Sequence, residues 1–238
     1  MKLKELVAPT MKELFIQEIT KQILSGHVKV GEKLPTEREM QHQMKVSRTI
    51  INSGLSELAR IGFVDIIPRQ GAFVADYIRK GNIETLVAIM NFNGGNLDRH
   101  TFNSLMDYRS STECECAYLA AKNRTPEDLS RLKTLYQQII DENDPTTVAH
   151  LKVDFHHILY CATGNDIYPL VFNSFNKLSF TFNEIIFKNY GIESAYLSLP
   201  ELIKAIEDQN PDEARYFTKK LALRRMQQLN HYYYKEDV

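Results

Sequence analysis

Leu34-Pro35-Thr36-Glu37-Arg38-Glu39, followed shortly by Val46-Ser47-Arg48-Thr49-Ile50-Ile51, is the stretch that decides how this chain folds. The Thr36 hydroxyl can cap the amides of the next helix while Glu39, three residues on, reaches back, a reciprocal pattern that opens a short helix. That helix is predicted to stop near Met44-Lys45. Ser47 then caps a second helix, which carries Ile50, Ile51, Leu55, Leu58 and Ile61 inward and ends at Gly62. Two short helices across a tight turn make a helix-turn-helix. Upstream, Thr10 to Ser25 reads as a core helix with Leu14, Ile19, Ile23 and Leu24 as its apolar stripe and Gly26 as its stop. Downstream, Phe63-Val64-Asp65-Ile66-Ile67 and Ala72-Phe73-Val74-Ala75 flank the turn Pro68-Arg69-Gln70-Gly71, which predicts a two-stranded wing.

Beyond the wing, Asp76–Asn82 has little apolar content and carries Arg79, Lys80 and Gly81, so the linker is placed at 77–83. From there apolar residues recur at three- and four-residue spacing over roughly 83–90, 98–122, 126–142, 145–162, 166–190, 194–208 and 211–234, with a loop suited to Asn91–Asn96. The predicted architecture is mainly α. A winged helix-turn-helix occupies 1–76, and an all-α bundle of six or seven helices occupies 84–238.

Composition sets the outer limits. At 238 residues and 43% hydrophobic content the chain can bury a core in each of two domains. No stretch approaches the roughly 18 apolar residues of a membrane span, and Lys2, Lys4 and Glu5 precede only a short apolar patch, unlike a signal peptide. The expectation is a cytoplasmic protein with no membrane partner. Cys114, Cys116 and Cys161 lack the CxxC spacing of a structural zinc or redox site and read as reduced thiols. Net charge is −1, but residues 1–80 hold 13 Lys and Arg against 9 Asp and Glu, so the excess of acid lies in the rest. A basic front and an acidic back suggest two tasks, the first compatible with a nucleic-acid face.

The segment Gly31–Val74 resembles the DNA-binding domain of the GntR family at many positions in order: Gly31, Leu34-Pro35-Thr36-Glu37-Arg38-Glu39, Val46-Ser47-Arg48-Thr49, Leu55, Leu58, Gly62-Phe63-Val64 and Gly71-Ala72-Phe73-Val74. The resemblance implies DNA contacts by Arg38, Ser47, Arg48, Thr49 and the wing tip Gln70-Gly71. Their chemistry agrees: arginines pair with phosphates or fork onto guanine, hydroxyls at a helix start bind phosphate oxygens, and a glycine lets backbone approach the minor groove. Where the family usually has Arg followed by Glu, this chain has Asn52-Ser53. Asn52 either reads adenine through its amide or fills space.

Most of 98–225 resembles the FadR-type effector domain, through Arg109, Glu113, Ala117, Ala120-Ala121, Thr125-Pro126-Glu127-Asp128-Leu129, Asp154-Phe155-His156, Gly164-Asn165 and Ala205-Ile206. Many such domains hold a metal through an Asp, a His four residues on and two later histidines. Here His156 keeps its place, but Lys152, Leu199 and Leu221 stand at the other positions, so no metal and no cofactor are expected. His150, Asp154, His157 and Cys161 share a helix face opposite Val148, Leu151, Phe155 and Leu159 and read as a solvated stripe. Arg109, Lys152 and His156 are the candidate effector residues. Arg109 either pairs internally with Glu113 or holds an anion, and His156 is either a satisfied core histidine or a ligand contact. The aromatics Phe172, Phe175, Phe180, Phe182 and Phe187, with Gly164-Asn165-Asp166-Ile167-Tyr168-Pro169-Leu170, are also similar to fatty-acid-responsive members, which bind long-chain acyl-CoA.

These resemblances imply a homodimeric transcriptional regulator that reads a short palindromic operator in double-stranded DNA. A small anionic effector, a carboxylate or an acyl-CoA, would modulate that binding. Two rivals predict no selection of a palindrome. An enzyme would need a motif such as GxSxG, a P-loop or GxGxxG, and none is present. A helical interaction module with vestigial DNA binding would not need Arg38 and Arg48.

Overall fold

Thr10 and Thr36 each accept a hydrogen bond from the amide three residues on, while the Glu13 and Glu39 carboxylates accept one from the Thr10 and Thr36 amides, so two capping boxes open helices α1 (Met11–Leu24) and α2 (Glu37–Met44). Ser47 caps α3 (Arg48–Ile61) through the Ile50 amide, and Gly62, at φ 93°, closes it in the left-handed conformation. The helix-turn-helix is thus written in local capping chemistry. The computed structural model describes residues 8–91 and 99–235, in two compact units, 1–94 and 95–238.

In the first unit, strands β1 (Val64–Ile67) and β2 (Gly71–Val74) pair antiparallel, with Val64 opposite Val74 and Ile67 opposite Gly71. The segment before α2 runs beside β2: Leu34 donates its amide to the Ala72 carbonyl at 2.8 Å, and Val74 donates to Glu32 at 2.9 Å. These bonds fix the wing to the start of α2. The core gathers Phe15, Ile19 and Ile23 of α1, Met40 of α2, Ile51, Leu55 and Leu58 of α3, and Phe63. Phe15 lies so close over Gly54 that a Cβ there would fall 2.2 Å from its ring, so α1 and α3 cross at a glycine. The α1 stripe is rotated from the expected one: Phe15 is buried and Leu14 is exposed, because the face toward Gly54 accepts the larger ring.

The segment 77–83, read from composition as a linker, contains the short helix α4 (Tyr77–Lys80), and α5 (Ile83–Asn91), expected with the helical half, joins the first unit. The reason is polar. The Thr85 hydroxyl donates to the Ile61 carbonyl, Asn82 donates to the Arg60 carbonyl at 3.2 Å, and Arg60 pairs with Glu84 at 2.5 Å. The loop expected over Asn91–Asn96 lies, beyond Asn91, outside the described residues.

The second unit is helical throughout its described residues: α6 (Arg99–Asn123), α7 (Pro126–Asp141), α8 (Pro145–Cys161), α9 (Ile167–Ser174), α10 (Asn176–Tyr190), a 3-10 turn (Ile192–Ala195), α11 (Leu199–Glu207) and α12 (Pro211–Tyr234). The continuous helix expected over 166–190 breaks at Phe175, whose φ of −108° and ψ of 4° separate α9 from α10. Helix α12 packs along α6, and α8 packs against both α7 and α10. Along α6 the inward stripe reads Phe102, Leu105, Met106, Arg109, Glu113, Cys116, Ala117, Ala120 and Ala121. Two charges therefore stand where periodicity calls for apolar side chains.

Candidate nucleic-acid interface and ligand cavity

Arg38 on α2, Arg48 and Asn52 on α3, and Gln70 and Gly71 on the wing all line one open groove of about 820 Å³. Ser47 and Thr49 are exposed at the start of α3, the end that presents free amides to an anion. Gly71, at φ 115°, lets the wing close over the Lys33 side chain, which a Cβ would meet at 3.1 Å. Two basic residues of the groove are not among those the sequence singles out: Lys33, and Arg69, which turns the wing at φ 64°. The cluster Pro68-Arg69-Gln70-Gly71 was a signal for Arg69, since its cation sits beside the two wing residues already singled out.

Glu37 organises the recognition helix. Its carboxylate accepts from Arg48 Nε at 2.8 Å, and the Asn52 amide, turned with its nitrogen toward that carboxylate, donates to Oε1 at 2.9 Å. One acid thus holds both candidate base readers in register. The Arg48 side chain stays 73% exposed, so the pair is open to water and to exchange for a phosphate or base.

In the second unit, Glu113 on α6, Lys152 and His156 on α8, Asn183 on α10, Leu199 and Leu202 on α11, and Thr218, Leu221, Arg225 and Gln228 on α12 surround a cavity of about 50 Å³. Lys152 is buried and donates to the Ala195 carbonyl at 3.0 Å. His156, half-buried, contacts the Lys152 carbonyl through Nδ1 at 2.7 Å and faces the Phe172 ring. Arg109 is not on the cavity wall. It lies beside the Phe182 ring and donates from Nη2 to Glu113 Oε1 at 3.2 Å, while Arg225 takes the other carboxylate oxygen. Sequence reasoning could not see Arg225, which meets Glu113 across 112 residues of chain.

Charge in this cluster is unbalanced. Burial alone would push the Glu113 carboxyl up, but Arg225 and Arg109 outweigh it and hold it at about 2. Burial, with like-charge repulsion from Arg225, brings the Lys152 amine down to about 7. Burial likewise takes the His156 imidazole down to about 3. At neutral pH two guanidiniums face one carboxylate and a neutral imidazole. Arg225 Nε, Arg109 Nη1 and Thr218 Oγ1 are buried without a hydrogen-bond partner among the described residues. Unsatisfied donors beside surplus positive charge are the chemistry that an anion would satisfy.

A transition metal does not fit these walls. Of the lining residues only Glu113 and His156 offer a carboxylate or imidazole, and Glu113 is already held by two arginines. Among the described residues no group of three or more His, Cys, Asp and Glu is placed to hold a metal ion. The stripe of His150, Asp154 and Cys161 faces outward, exposed, with His157 half-buried beside it.

Comparison with known proteins gives each unit a family. Residues 13–74 match the model of bacterial regulatory proteins, gntR family, and residues 104–223 match the FCD domain. The HTH-type transcriptional regulator Mce2R of Mycobacterium tuberculosis is 26% identical over 175 residues, 74% of this chain and 72% of that protein. The Glc operon transcriptional activator of Escherichia coli is 26% identical over 174 residues, 71% of this chain and 66% of that protein. The solved structure of Lar, described as controlling expression of the Listeria monocytogenes agr system, superposes with a TM-score of 0.59 at 16% identity, covering 94% of this chain and 98% of that one, a likeness of fold. Among the described residues no helix is long and apolar enough to cross a membrane.

Proposed function

The chain belongs to the GntR family of transcriptional regulators, in the group that carries an FCD domain, and from that premise we propose that it is a homodimeric, cytoplasmic, non-enzymatic regulator. Its winged helices read a short palindrome in double-stranded DNA. One observation carries the reading: Arg38, Arg48, Asn52, Gln70 and Gly71, from three separate elements, converge on a single open groove together with Lys33 and Arg69. Arg48 and Arg38 contact base edges or phosphates, Ser47 and Thr49 bind phosphate at the start of α3, and the wing tip enters the neighbouring minor groove. Asn52, oriented by Glu37, is an adenine reader.

The effector is a small carboxylate held in the cavity of the second unit. Arg225 Nε and Thr218 Oγ1 supply the unused donors, Lys152 and His156 add the part of the wall that α8 contributes, and Arg109 acts from outside the wall by sharing Glu113. At roughly 10–15 Å³ per water-sized group, the cavity of about 50 Å³ has room for about three to five such groups, which suits a small carboxylate. A long-chain acyl-CoA is too large for it. The effector alters operator affinity by binding one arrangement of the dimer more tightly than another.

Selection from random duplex DNA tests the first half. It is expected to enrich a two-fold symmetric site whose binding weakens steeply with salt; enrichment of no sequence, or of one without two-fold symmetry, overturns it. Calorimetry with acetate, lactate and pyruvate tests the second half, with Arg225→Ala expected to abolish binding.

A further inference from the structure

Lys152 is the one cavity residue whose chemistry anion binding does not exhaust. Its side chain is 7% exposed, it donates a single hydrogen bond, to the Ala195 carbonyl, and no carboxylate pairs with it among the described residues. Glu113, the only acid on the cavity wall, is committed on one oxygen to Arg109 and on the other to Arg225. An amine in such a place is not arranged as a salt-bridge partner. The titratable and charged groups on the cavity wall with it are Glu113 from α6, the neutral His156 from its own helix, and Arg224 and Arg225 from α12.

We propose that Lys152 is a covalent anchor: its amine condenses with the carbonyl of a small 2-oxo acid whose carboxylate is held by Arg225 and Thr218. This rests on the cavity being the effector site. The cavity, about 50 Å³ and lined by both α8 and α12, has room for little beyond a carboxylate and its neighbouring atoms, so a ligand gripped by its carboxylate on α12 offers Lys152 the carbon beside that carboxylate, and in a 2-oxo acid that carbon is the ketone. The nitrogen lone pair adds to the carbonyl carbon and an N–H proton moves to the oxygen, giving a carbinolamine. Its hydroxyl then leaves with the second N–H proton as water, and a carbon–nitrogen double bond remains. Nothing is oxidised or reduced. Desolvation beside another cation is a recognised way of making lysine nucleophilic, and the amine lies near 7 for that reason. At pH 7 its reactive neutral fraction exceeds that of a surface lysine by about a thousandfold.

The experiment uses the full chain with pyruvate and sodium cyanoborohydride, which reduces the imine to a stable secondary amine. Expected is one adduct per chain, heavier by pyruvate less water plus two hydrogens, mapped to Lys152 by peptide mass spectrometry and absent from Lys152→Met. Lactate, which has the carboxylate but no ketone, binds in calorimetry, gives no adduct and protects Lys152 from pyruvate. Pyruvate that binds the cavity without labelling Lys152, or labels surface lysines equally in wild type and Lys152→Met, overturns the covalent anchor and leaves the anion site standing. Failure of pyruvate and lactate to bind at all overturns the anion site and the anchor with it. Peptide mapping of the wild type alone decides the matter should Lys152→Met not fold.

Discussion

Each unit holds an arginine against a glutamate, and the two arrangements differ in almost everything else. In the first, Arg48 meets Glu37 at 2.8 Å with side chains 73% and 39% exposed. In the second, Arg109 and Arg225 share Glu113 with side chains 9%, 12% and 3% exposed. An exposed pair contributes about 0–1 kcal/mol and is readily exchanged for another partner. A buried one contributes little net stability as a pair, but losing one member strands the others without solvent. The surface pair is therefore suited to handing an arginine to DNA, and the buried cluster to holding a charged centre in place until a ligand completes it.

Removing the carboxylate of the buried cluster is the severest test of that contrast. Glu113→Ala is expected to destabilise the second unit by about 3–5 kcal/mol, seen in urea unfolding, because two guanidiniums lose their counter-charge; a loss below about 1 kcal/mol would make the cluster no different from the surface pair. Next comes Lys152, through pH. Its folded value of about 7 lies below the ordinary 10.5, so between those limits the unfolded chain holds more protons and stability rises with pH. Wild type is expected to gain a few kcal/mol over that window relative to Lys152→Met, and parallel curves for the two proteins would refute the buried, desolvated amine. On the exposed side, Arg48→Ala should weaken operator binding by about 1–3 kcal/mol and leave thermal unfolding unchanged. Smallest is Glu37→Gln, worth under about 1 kcal/mol in stability. It should nonetheless relax base preference wherever Arg48 and Asn52 read, as scored by selection from random duplex; an unchanged site would show that Glu37 orients neither.

What the sequence disclosed follows the range of the interactions. Thr36 with Glu39, Ser47 with Ile50 and Gly62 at the end of α3 act within four residues, so the helix-turn-helix was readable from its caps. So were Lys152 and His156, one turn apart on α8 and both on the cavity wall. Arg225 was hidden because its partner is 112 residues away, and nothing about Gly54 announced that Phe15 would lie over it. The break at Phe175 had no glycine or proline to mark it. The segment 77–83 reads in the opposite way: polar and glycine-containing, it looks like a bare linker, yet it holds α4, and Asn82 with Thr85 of the next helix uses its polar groups to tie the segment to the end of α3.

The face that α12 turns to the cavity places Thr218, Leu221, Arg225 and Gln228 at helical spacing. A helix advances about 100° per residue, so one residue inserted or deleted between Pro211 and Thr218 would rotate that whole face away from α6 and α8 together. Exposed residues such as Lys219 and Lys220 would swing in its place. The spacing of the chain there is consequently a constraint separate from its composition. Point substitutions can adjust which acid is accepted, whereas a change of length by a single codon would erase the site while leaving every one of its residues in the sequence.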